Sequence, residues 1–177
     1  MTEEGRKEIE DMIIKEGSLN QTVATYLIHS FENFKEQFQG DRNHDEADDY
    51  ILYLRAEHSM KREDFKYYLE ESKNKVPLNI DRAKDGLLYL DALQKGTIDA
   101  LTDYLRNSQI NEFKSVADKD IRDLEKANQV TLAFDKIQNF TGDINEAIKL
   151  CNQYLIKYDG YNKEYDEIVT EKKRKVN

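Results

Sequence analysis

The sequence predicts an all-α protein, an elongated antiparallel helical bundle of about five or six helices with no β-sheet. Three observations carry that prediction. Apolar residues recur at three- and four-residue steps through most of the chain. No segment shows sustained apolar and polar alternation bounded by turns. One proline, Pro77, and seven glycines in 177 residues leave few points where regular structure must stop. Hydrophobic residues make up 38% and charged residues 36%, a mix suited to slender, coiled-coil-like helices solvated on one side. No Pro- or Gly-rich linker interrupts the chain, so 1–177 is read as a single domain, with a short basic tail at 172–177 as its candidate for disorder.

The first helix is expected over residues 3–16, where Ile9, Met12 and Ile13 share a side and Gly17 suits a helix end. Ser18 followed by Gln21 has capping-box spacing, so a second helix starts there. Its positions Leu19, Val23, Tyr26, Leu27, Phe31, Phe34 and Phe38 describe a continuous buried face as far as Gly40. A third pattern runs from Ala47 through Tyr50, Ile51, Leu54, Met60, Phe65, Tyr68 and Leu69 to about Lys75, with a fault near Ser59. Pro77 stops it, and Asn79 is a candidate cap for the next helix. That fourth helix carries Ile80, Ala83, Leu87 and Leu90, then shifts its seam near Gly96 before Ile98, Leu101 and Leu105. From Ile110 a helical period continues to Ile137, with an interruption at Thr141 and Gly142. The last helix begins at Ile144 and passes Cys151 and Tyr158. No motif is read as recurring at a fixed period, which speaks against a repeat array.

The formal net charge of -9 disfavours a phosphate backbone as ligand, since that attraction is supplied by clustered Lys and Arg. Nucleic acid is therefore not the expected partner. A single cysteine, Cys151, forms no intrachain disulfide, as in a reducing compartment. Neither a cleavable signal nor a membrane span is expected, because the longest apolar runs, such as 87–90, are far too short. The predicted location is cytoplasmic, with Lys172, Lys173, Arg174 and Lys175 offering the composition of a nuclear-import segment.

No catalytic residue, cofactor or metal centre is expected. The glycines are too far apart for a phosphate-cradling loop, and no Glu-x-x-His occurs to build a carboxylate-bridged metal pair. Asp41, Asn43 and Asp45 resemble the opening of a calcium loop, but Glu46 replaces its turn glycine and Leu52 its bidentate acid. Asp45, Glu46, Asp48 and Asp49 are read as an acidic surface favoured by a helix N-terminus. Tyr154, Tyr158, Tyr161 and Tyr165, spaced four, three and four, would line one helical face if the helix passes Gly160 intact. Such a stripe is a candidate partner-binding surface; packing inside the bundle edge is the alternative.

The leading functional expectation is a non-enzymatic interaction module, an adaptor, scaffold subunit or regulator whose partner is another protein or a second copy of the chain. Two alternatives are an acidic inhibitor that imitates nucleic acid and a helical cargo or chaperone of a signal-less secretion system.

Overall fold

A computed structural model describes residues 21–39, 43–72 and 76–176. Among the described residues every regular element is a helix, and there are eight: α1 (Gln21–Gln37), α2 (His44–Ser59), α3 (Arg62–Glu71), α4 (Pro77–Lys95), α5 (Ile98–Asn107), α6 (Lys114–Gln138), α7 (Ile144–Tyr158) and α8 (Lys163–Val176). None is long and apolar enough to cross a membrane. The expected helix over 3–16 and the capping box at Ser18 lie outside the described residues. The count exceeds the five or six expected because three predicted helices are each two.

The third predicted helix divides at Met60, which adopts the left-handed conformation (φ 50°) and returns its N–H to Ala56 and Glu57 as a C-cap. A non-glycine residue at a left-handed cap gives little sequence warning. The fourth divides at Gly96 (φ 62°), where a glycine meets no such penalty, and the Thr97 side chain then accepts from Ala100 N–H to start α5. Gly142 lies in the connection between α6 and α7. Gly160 (φ 81°) separates α7 from α8, and its N–H donates to Asp166 at 2.8 Å. Pro77 occupies the first turn of α4, where its missing N–H costs no helical bond. Asn79 is therefore not the cap; it is wholly buried and serves elsewhere. Tyr26 and Phe38, expected on the buried face of α1, are exposed at 68% and 53%, whereas Ala24, Leu27 and Phe31 are buried.

The chain divides into two compact units, Met1–Ile121 and Arg122–Asn177, with the division inside α6, where the sequence suggests a single domain. In the first unit α1 packs on α2, α2 on α3, α3 on α4 and α4 on α5, and α2 also reaches α4. That last contact stacks one helical hairpin, α2–α3, on the next, α4–α5.

The two hairpins are copies. Shifting His44–Ser59 by 36 residues ends it at Lys95, the last residue of α4, and shifting Arg62–Glu71 by the same amount gives Ile98–Asn107. Ala47, Asp49, Tyr53, Leu54 and Ala56 recur as Ala83, Asp85, Tyr89, Leu90 and Ala92, and Tyr68, Leu69 and Ser72 recur as Tyr104, Leu105 and Ser108. The left-handed cap recurs too, Met60 as Gly96. The expectation of no repeat is thus overturned. The shared residues are few, but most are buried or half-buried, as expected where each hairpin buries its face only against a neighbour.

One position differs for a visible reason. Gly86 stands where the first copy has Tyr50, and a Cβ there would lie 2.7 Å from Cζ of Phe65, a fully buried ring on α3. The missing side chain lets α3 approach α4. Gly86→Ala is expected to destabilise the fold by about 1–3 kcal/mol through overpacking, with Phe65→Leu recovering part of the loss in thermal melts.

The second unit has its own core, Val130 and Ile137 of α6, Cys151, Tyr154 and Tyr158 of α7, and Val169 of α8. Phe134 and Tyr165 stack against it with centroids 3.9 Å apart.

Candidate functional site

In the first unit the repeat builds the same polar latch twice. Asp49, on α2, accepts from the Tyr68 hydroxyl at 3.1 Å, the Ser72 hydroxyl, the Val76 N–H at 3.1 Å and Asn79 Nδ2 at 3.0 Å. Asp85, on α4, accepts from the Tyr104 hydroxyl at 2.7 Å, the Ser108 hydroxyl and the Glu112 N–H at 3.0 Å. Separations of 19, 23 and 27 residues are common to both. In each copy an aspartate on the first helix holds the end of the second helix and the backbone leading to the next helix. Burial, followed by the neighbouring carboxylate, raises the pKa of both phenols, Tyr68 beside Asp49 and Tyr104 beside Asp85.

Asp49 therefore does not belong to an acidic surface. Of the four residues read together, Asp45 and Asp48 are exposed, Glu46 is half-buried and Asp49 is 1% exposed. Asp48 is paired with Lys35 of α1.

A second buried polar group lies beside the latches. Arg82 is 1% exposed and its Nε lies 3.2 Å from Oε2 of Glu112, itself 9% exposed. Among the described residues Nε and Nη1 of Arg82 find no hydrogen-bond partner, so charge rather than a well-aligned bond holds this contact. Burial raises the Glu112 carboxyl pKa, opposed by Arg82 and reinforced by Asp85. Burial also raises Tyr53, with Glu57 and Glu112 adding to the shift and Arg82 opposing it. Tyr53, Glu57, Arg82 and Glu112 are each under a tenth exposed, so they offer no surface to a substrate. Their arrangement suits a charged tie between α2, α4 and the backbone entering α6. Among the described residues, no three His, Cys, Asp or Glu side chains lie close enough to hold a metal ion.

In the second unit the four tyrosines do not form one stripe, because α7 ends at Tyr158 and α8 starts at Lys163. Tyr154 and Tyr158 are core residues. Burial, with Asp166 next, pushes the Tyr154 phenol up to about 12. Tyr165 is half-buried on Phe134. Tyr161 is exposed at 45%, faces Lys126 and donates from its hydroxyl to the Asp123 carbonyl at 3.3 Å.

The basic tail is helical as far as Val176. Lys172 donates to the carbonyls of Ile137 and Gln138 at the end of α6, a favourable place for a cation. Arg174 and Lys175 pair with Glu171.

Cys151 is fully buried, and burial pushes its thiol pKa up, opposed by Lys172. The thiolate that reacts with disulfide reagents is therefore disfavoured twice, by protonation and by access. A colorimetric disulfide reagent is expected to leave the native chain unlabelled over hours and to label it within minutes in denaturant. Rapid native labelling would contradict the packing described.

In this unit α6 and α7 leave an open groove of about 790 Å³. Ala133 and Ile137 line it from α6, and Leu150, Tyr154 and Ile156 from α7. Comparison with family models, with curated proteins and with solved structures finds no match.

Proposed function

We propose that the chain is a non-enzymatic helical protein–protein interaction module, an adaptor, scaffold subunit or regulator. The duplicated hairpin supports this reading most. Stacked helical hairpins carry extended surfaces whose exposed positions vary freely while a few buried residues fix the stack. Here most invariant pairs are buried or half-buried, whereas most matched exposed positions differ, as Asp48 and Lys84 or Arg55 and Asp91 do; Asp45 and Asp81 are an exposed pair that is shared. Leu88 at 50% and Leu93 at 43% exposure leave apolar area on α4 for contact. The partner is another protein or a second copy of this chain.

Affinity capture from the native host's extract, with light scattering to detect self-association, tests the reading. The intact chain is compared with Leu88→Ser/Leu93→Ser, checked for fold by circular dichroism. A partner or self-association lost in the folded variant supports the module. Absence of both from the intact chain, or turnover of a substrate abolished by a point change in a defined pocket, overturns it.

The nucleic-acid mimic draws less support from these side chains. Asp49 and Asp85 are internal, and Asp48, Glu32 and Asp91 are paired with Lys35, Arg55 and Arg62.

A further inference from the structure

The groove between α6 and α7 has the geometry of a seat for one more helix. Its α6 wall comes from Ala133, Lys136 and Ile137, and its α7 wall includes Leu150, Tyr154 and Lys157. These fall at three- and four-residue steps on each helix, so one ridge from each helix faces the space, as at an unfilled position in a helical bundle. The floor is apolar and packed, with Ile137 at 3% and Tyr154 at 2% exposure. The rim is open: Ile156 is 88% exposed. An enclosed site that would swallow a small ligand buries most of its own lining, so this openness favours a long occupant laid along the surface.

Charge narrows the occupant further. The chain carries 36 acidic and 27 basic residues, yet the charged residues lining this groove are Lys136 and Lys157, with no Asp or Glu among them. One lysine stands on each wall. An occupant with apolar residues toward the floor and carboxylates toward both walls would match it.

We propose that this groove docks an acidic amphipathic helix of a partner protein. From Leu150 to Lys157 the α7 wall rises about 10 Å, so about two helical turns of the partner sit in it, anchored at i, i+3, i+4 and i+7. This rests on the interaction-module reading and gives that module's second unit a partner chemistry.

The probe is a fluorescein-labelled synthetic peptide of about 14 residues with leucine at the anchor positions and glutamate elsewhere. Its counterpart carries lysine in place of glutamate, and a scrambled peptide keeps the composition. Fluorescence anisotropy with the full chain is expected to show saturable binding of the acidic peptide alone. Ile156→Asp removes exposed apolar area, and Lys136→Glu/Lys157→Glu reverses both walls; each leaves buried residues untouched and is checked by thermal melting. The charge reversal is expected to weaken the acidic peptide by about tenfold and to admit the basic one, and raised salt to weaken binding by the intact chain. Equal binding of the scrambled peptide, indifference to Ile156→Asp, or displacement by myristate with no peptide preference overturns the proposal, the last in favour of a lipid site. If the chain captures partners through Leu88 and Leu93 while no peptide binds here, the groove proposal falls and the module reading stands.

Discussion

Asp85→Ala is expected to remove about 4 kcal/mol of stability, seen as roughly a thousandfold loss of amide hydrogen-exchange protection over α4 and α5. The carboxylate serves three donors at once, the Tyr104 and Ser108 hydroxyls and the Glu112 N–H. All three residues are at most 9% exposed, so water does not readily replace the lost acceptor. Hydrogen bonds to a charged group are each worth about 1.5–3 kcal/mol, and a buried donor left without an acceptor costs about as much again. The terms overlap, which keeps the expected total below their sum. Asp85→Asn preserves shape but turns one acceptor oxygen into a donor, and an intermediate loss of about 2 kcal/mol is expected. Asp49→Ala should behave alike, because Asp49 holds the same three kinds of donor and Asn79 in addition. A loss under about 1 kcal/mol at both aspartates would mean that apolar stacking alone fixes the hairpins.

The helical class was legible in the sequence, since three- and four-residue apolar steps survive in every described helix. The breaks were less so. Gly96 announces itself, whereas Met60 takes the same left-handed turn without a glycine. Only the 36-residue offset links the two. That offset was written in Ala47, Asp49, Tyr53, Leu54 and Ala56 against Ala83, Asp85, Tyr89, Leu90 and Ala92, but a period this long is drowned by local helical periodicity, and most of the residues between the matches differ. Asp49 was hidden by its neighbours. Beside Asp45, Glu46 and Asp48 it reads as one more solvated acid at a helix start, and its burial comes from Ser72 and Val76, 23 and 27 residues further on. The tyrosine spacing pointed to a single face only on the premise of a helix through Gly160. With φ at 81° there, Tyr154 and Tyr158 turn inward and Tyr161 is left outside. The groove residues Lys136 and Lys157 carry no motif at all; they meet because separate helices bring them together.

Arg82→Met is expected to cost about 3–5 kcal/mol at neutral pH, because it leaves Glu112 ionised and buried without its counter-charge. The arginine lies among Tyr53, Glu57 and Glu112, and its charge lowers what burial raises in both Tyr53 and Glu112. Removing both partners should be far milder. Arg82→Met/Glu112→Leu takes away the two desolvation penalties together with the attraction, and a net change within about 2 kcal/mol of the parent is expected. The pH dependence gives an independent check. Glu112 holds its proton more tightly in the folded chain than in the unfolded one, so its contribution to stability is fully present below the unfolded carboxyl pKa and is lost as pH rises through the folded value. Without Arg82 the folded value moves higher still, because the opposing cation is gone. The deficit of Arg82→Met relative to the parent should therefore shrink between neutral and mildly acid pH, as Glu112 takes up its proton on the fall through its raised value. In the double variant the leucine has no proton to take up and that convergence should vanish. Urea melts of the parent, single and double variants at the two pH values read this directly. A deficit for Arg82→Met that is the same at both would place the lost stability in packing of the arginine stem rather than in its charge.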